Sequence, residues 1–152
     1  RRSDVKTLNW ALRSEYLGAP YGGDFSDQTD VAVRTVQRSA GLRADGVVAR
    51  PTMKAIAAGM PRRRASWYGP GLWGNRTACG TKLTKRTVGI AHRALPCGTP
   101  VALAYQGNWV RARVIDRGPY RRGYGLDLTK PLAKRLGALR VGKAKVKIGV
   151  VP

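Results

Sequence analysis

Apolar positions along the chain follow two different periods, and the change falls near residue 61. In "DVKTLNWALRSEYL", Val5, Leu8, Leu12 and Tyr16 recur at helical spacing behind Asp4, which is placed to cap the start. "SDQTDVAVRTVQRSAGL" repeats the pattern: Ser26 or Asp27 can cap, Val33, Val36 and Ala40 share a face, and Gly41 ends the segment. A third, shorter helix is expected from about Pro51 to Ala58, after "ADGVVARPT". Residues 1–61 thus predict an all-α three-helix module.

From residue 62 to 152 the period shortens to two. "NWVRARVI" sets Trp109, Arg111, Arg113 and Ile115 against Val110, Ala112 and Val114, the alternation of a half-buried strand. "RTVGIAH", "TPVALAY" and "AKVKIGVV" are further strand signals, and "GLDL" reads as a strand end. Only "TKPLAKRLGAL" looks helical, with Pro131 in its first turn and Gly137 at its end. The second part is expected to be a small all-β barrel with one short helix.

Charge sharpens the division. The chain of 152 residues carries 29 Lys+Arg against 8 Asp+Glu, a net charge of +21, and such a protein seeks a polyanion. Residues 1–61 hold nine basic and six acidic side chains, net +3, whereas 62–152 hold twenty and two, net +18. The boundary falls at "GMPRRRASWYG", where Pro61 and Arg62 to Arg64 read as a short exposed linker. No run reaches the roughly 18 apolar residues a membrane span needs, and the opening "RRSDVKTLNW" has no apolar signal core. That leaves a cytosolic protein or an exported one whose leader is gone.

Cys79 and Cys97 are the two cysteines. Buried free thiols and a single disulfide are both open for such a pair, and a bridge would fit an exported domain. It would close a loop worth roughly 3 kcal/mol of chain entropy. There is no nucleotide-binding loop, no CxxC and no HExxH, so neither a cofactor nor a metal is expected.

Two resemblances organise these observations. The order of "GDFSDQTDVAVRTVQ" and "GLRADGVVARPTMKAI" after a first helix is similar to the small peptidoglycan-binding module that accompanies many cell-wall hydrolases. Gln37, Asp45, Gly46 and Thr52 match its helix and Asp-Gly turn, while Ser26 and Ala49 stand where that family usually has glycine. "ASWYG", "AHRALPCGT", "DRGPY" and "LDLT", in that order, resemble the rare-lipoprotein-A-like double-psi β-barrel, a fold shared with expansins. This resemblance implies a six-stranded barrel crossed by a glycan groove, with His92, Asp116 and Asp127 at positions tied to that groove. Where related barrels often carry Asn-Gly-Glu, this chain has Cys79, Gly80 and Thr81.

Glycosidic cleavage gives an independent reason to look there, since it needs a proton donor to the leaving oxygen, and hydrolysis usually adds a second carboxylate. Asp116 and Asp127 are the sole acids after residue 61. Asp127 lies between Leu126 and Leu128, an alternation that points it away from the core, and it is the expected acid/base. Asp116, before Gly118 and Pro119, caps a turn, bridges to Arg117 or faces the groove. His92 is open between a structural and a groove role. Trp67, Tyr68, Tyr120, Tyr124 and Thr77 are candidates for contact with sugar, although such aromatics serve as core as often.

Three functions are consistent with the sequence: a glycan-cleaving enzyme of lytic-transglycosylase or glycoside-hydrolase type, a non-catalytic expansin-like wall-binding or wall-loosening protein, and a basic nucleic-acid binder. The last is weakest, because no nucleic-acid-binding motif is present and anionic wall polymers would satisfy the charge equally well. The expectation is a monomeric, secreted, cell-wall protein whose partners are peptidoglycan strands. With no lipid-anchoring Cys near its start, an exposed wall is the expected setting.

Overall fold

The computed structural model describes residues 5–9, 12 and 24–150. The chain divides into two compact units between Met60 and Pro61.

In the first unit, residues 5–9 and 12 are helical (α1), and Leu8 and Leu12 are buried. Asp4 and Tyr16 lie outside the described residues. Helix α2 (Asp27–Ser39) starts at Ser26, whose hydroxyl accepts from the Thr29 N–H while Thr29 answers the Ser26 N–H. This reciprocal cap fills two amide positions that a helix leaves without internal partners. The buried face of α2 is Thr29, Ala32, Val33, Val36 and Gln37. Ala40, expected on that face, is instead the exposed C-cap, since Gly41 with φ 68° turns the chain and lets the Leu42 N–H reach the Gln37 carbonyl.

Helix α3 (Arg50–Ala58) begins with Pro51 in its first turn. The turn before it is stapled by Gln37, whose amide nitrogen reaches Asp45 Oδ1, the Val47 carbonyl and Thr52 Oγ1, while its oxygen accepts from the Gly46 N–H. Gln37 is fully buried, so these bonds replace the water it gives up. The Val47 N–H, and then Gln37, hold the Asp45 carboxyl below its ordinary pKa.

The second unit is a closed barrel of six strands: β1 (Arg62–Tyr68), β2 (Ile90–Ala91), β3 (Pro100–Tyr105), β4 (Asn108–Asp116), β5 (Leu126–Thr129) and β6 (Ala144–Val150). Around the barrel they run β1-β5-β2-β4-β3-β6, with β6 closing on β1. The β1/β5 and β2/β4 pairs are parallel and the others antiparallel. Arg62 to Arg64 are exposed, as expected, but they are not a linker. They form the first half of β1 and pair with Lys147, Val146 and Lys145 of β6. Strand pairing asks only for backbone groups, so three exposed arginines do not prevent it.

The core follows the alternation. Val101 and Leu103 from β3, Val114 from β4, Leu126 and Leu128 from β5, and Val146 from β6 are all at most 1% exposed. Helix α4 (Lys130–Leu136) closes one side of this core with Leu132, Ala133 and Leu136. Each fully buried leucine contributes roughly 1.5–3 kcal/mol. Gly137, at φ 79°, ends α4 in the left-handed conformation and returns its N–H to the last turn. Strand β2 is shorter than "RTVGIAH" suggested because Thr84 to Thr87 close a turn, with the Thr84 N–H donating to Thr87 Oγ1.

Candidate functional site

Strand pairing brings four distant segments into one row. Ser66 of β1 pairs with Asp127 of β5, Asp127 pairs with Ala91 of β2, and Ala91 pairs with Asp116 of β4. Residues paired across adjacent strands share a face of the sheet, and Leu126 and Leu128 point inward, so Asp127 and its row face away from the barrel core, with Ala91 itself covered and the three polar side chains half-buried. Asp116 joins this row through an irregularity: the β2/β4 register shifts between Ile90, which pairs with Val114, and Ala91. Such shifts re-aim side chains at the ends of strands. The two acids therefore stand two strand spacings apart at the main chain, ~9–10 Å.

Each carboxylate has a different set of partners. Ser66 Oγ donates to Asp127 Oδ1. Asp116 Oδ1 accepts from the Ala78 N–H at 2.9 Å and the Arg117 N–H at 2.8 Å, so it fastens the loop before β2 to the end of β4. Two residues from Ser66 on the same face of β1, Tyr68 places a buried hydroxyl beside Asp116. Burial first, then the charges of Asp116 and Asp127, raise the Tyr68 pKa, so this hydroxyl stays protonated.

His92 follows Ala91 directly. Its backbone N–H donates to the Asp116 carbonyl, and Nδ1 accepts from the Ala94 and Leu95 N–H groups. An imidazole that accepts at Nδ1 is the neutral tautomer with its proton on Nε2. Burial, followed by the charges of Arg63, Arg93 and Arg117, lowers its pKa in the same direction. Arg117 ties this turn together by donating to the His92 and Leu95 carbonyls and to Cys97 Sγ. Cys97 is bonded to Cys79, with Cα atoms 5.6 Å apart. The bridge thus joins the two loops that reach Asp116 and His92, and the described residues hold no free cysteine.

Among the aromatic candidates the structure separates three environments. Trp67 packs against the core, its Nε1 donating to the Leu139 carbonyl. Tyr124 is buried with the Arg64 and Arg121 guanidinium groups over its ring, at 5.8 and 4.9 Å. Tyr120 is 82% exposed. Thr77 closes its own loop by accepting from the Thr81 N–H, one residue before the Ala78 contact to Asp116. Asp127, Asp116, Tyr68 and His92 are thus brought to one region, with Thr77 beside it in the supporting loop. The sequence does not single out Ser66, for which the alternation of Ser66 and Tyr68 with Ala65 and Trp67 was the available signal. It offers Arg117 only as an ion-pair partner of Asp116, whereas the side chain donates to the His92 and Leu95 carbonyls, which only the loop geometry reveals. In the helical unit, a cavity of about 400 Å³ opens between Val5, Leu8, Phe25 and Gly46, Val48, Met53.

A closed six-stranded barrel with two parallel pairs, carrying an outward row of acids, places this unit among the double-psi β-barrels. Residues 62–148 match the family described as "Lytic transglycolase", and the chain belongs to that family. Residues 1–56 match the family described as "Putative peptidoglycan binding domain". Among similar proteins, the "Probable endolytic peptidoglycan transglycosylase RlpA" of Synechocystis sp. is 38% identical over 105 residues, covering 68% of this chain and 32% of the relative. The protein of the same name from Aquifex aeolicus is 45% identical over 83 residues, covering 53% and 37%. This chain spans about a third of the length of these relatives. A solved Clavibacter michiganensis expansin in complex with cellohexaose shares the fold, with a TM-score of 0.50 and 19% identity over 60% of this chain and 50% of that one.

Proposed function

We propose that the chain is a secreted, monomeric cell-wall protein that binds peptidoglycan and cleaves its glycan strands as a lytic transglycosylase, with Asp127 as acid/base. The observation that carries this reading is the outward row of Ser66, Asp127, Ala91 and Asp116, which offers a carboxyl and a second acid to a glycan laid across the strands. Protonated Asp127 gives its proton to the glycosidic oxygen as the bond to muramic acid C1 breaks. The resulting carboxylate then takes the proton of that sugar's 6-hydroxyl as its oxygen closes on C1. The proton is returned, no water is consumed, and one carboxyl suffices. Asp116, held by two N–H groups, orders the supporting loop. His92, neutral at Nδ1, presents an Nε2 proton as a donor to sugar oxygens. The helical unit holds the enzyme on the wall, in keeping with the similarity of residues 1–56 to peptidoglycan-binding domains.

Digestion of purified peptidoglycan with mass analysis of released sugars tests the reading. The expected products end in 1,6-anhydromuramic acid, and Asp127→Asn should lower their release by about 10² to 10⁴ while leaving folding and wall sedimentation intact. Reducing ends would instead indicate hydrolysis with Asp116 as second carboxylate. Release at the unmutated rate from Asp127→Asn would sink the assignment. A second reading, wall loosening without cleavage, is favoured by the Ser66 hydroxyl, which already donates to one Asp127 oxygen. It predicts binding with no released sugar.

A further inference from the structure

On the barrel, a cleft of about 760 Å³ lies between the loop after β1 and helix α4. That is the size of an ordinary ligand site. Five cations line it, Lys85 and Arg86 from the loop side and Lys130, Lys134 and Arg135 from the helix, with Trp73 at its wall. No acidic side chain lines it, and it shares no lining residue with the row of Ser66, Asp127, Ala91 and Asp116. Five like charges around one cleft repel one another, a cost that an anion removes.

We propose that this cleft is a binding site for a phosphodiester-linked polyol polymer of the wall. Phosphate fits the donors, because guanidinium groups take it in a bidentate fork and ammonium groups as point charges. A repeating polymer fits because the cations come from two separate elements and would engage successive phosphates. The aromatic ring in the cleft argues against nucleic acid. Lys85 sits 5.2 Å from the centre of the Trp73 ring, so this ring presents a cation where a base would have to stack. The choice of a wall polymer rests on the peptidoglycan-directed reading above, whereas the anion site rests on the cleft and does not require cleavage at Asp127.

The test is calorimetric titration of the full chain with purified poly(glycerol phosphate), and in parallel with single-stranded DNA of matched charge. Lys134→Glu/Arg135→Glu reverses two exposed cleft cations. Arg62→Glu/Lys145→Glu makes the same change in net charge on β1 and β6, outside the cleft. Cleft reversal should weaken poly(glycerol phosphate) binding at least tenfold and the control less than threefold. Lys85→Ala/Arg86→Ala, on the other wall, should weaken it in the same direction. Circular dichroism confirms that the variants are folded. Equal losses from cleft and control variants, no binding by the wild type, or DNA binding as tight as the polyol polymer would each overturn the proposal. Intact sedimentation with phosphate-free peptidoglycan in those cases would leave the wall reading standing.

Discussion

At the scale of the residue, His92 is the group whose charge state is most clearly fixed by its surroundings. Protonating Nδ1 would set an N–H against the two backbone N–H groups that it now accepts, and three arginines add repulsion. A histidine whose folded pKa is lowered adds stability that is present above its unfolded pKa, about 6.5, and lost as pH falls through that value toward the folded one. Denaturant midpoints should therefore fall between about pH 7.5 and 5, and the slope should flatten in His92→Gln. An unchanged slope in that variant would assign the pH dependence elsewhere. Asp127 shows what was legible at this scale: its place between two leucines gave both its outward direction and its candidacy. The part played by Asp116 was legible only as a choice, because which N–H groups a turn acid accepts depends on a loop thirty-eight residues away in sequence.

Elements were read well where one local signal decides them. Pro131 and Gly137 bracket α4, and Ser26 caps α2, each through a backbone effect confined to a few residues. The strands were less complete. β1 was missed because exposed arginines hid its backbone pairing, and β2 was overestimated because a turn and a register shift cut it to two residues. Gly89, just before β2, shows how tightly that crossing is built. A Cβ there would lie 2.6 Å from Ile115 side-chain atoms, and Gly89 also exchanges hydrogen bonds with Thr129. Gly89→Ala should destabilise the barrel by about 1–3 kcal/mol through overpacking. Chemical denaturation measures this, and a loss below about 0.5 kcal/mol would mean that Ile115 moves aside freely.

For the whole molecule, charge and architecture divide the work. Net charges of +3 and +18 on the two parts of the sequence mean that screening acts mainly on the barrel, since the Debye length shrinks from about 8 Å at physiological salt to about 3 Å at 1 M. Sedimentation with insoluble peptidoglycan should lose its salt-sensitive share for residues 62–152 and keep most of its strength for residues 1–61. Equal release of both would refute the division. The closed strand order carries a different consequence. Because β1 pairs with β5 and β2 with β4, the row at residues 66, 91, 116 and 127 exists only once the chain has crossed itself. Pairings so distant in sequence are slow to form, because the intervening chain must be closed first. A nascent chain therefore lacks this row until β5 has emerged and docked, and the candidate site comes into being only where the barrel folds.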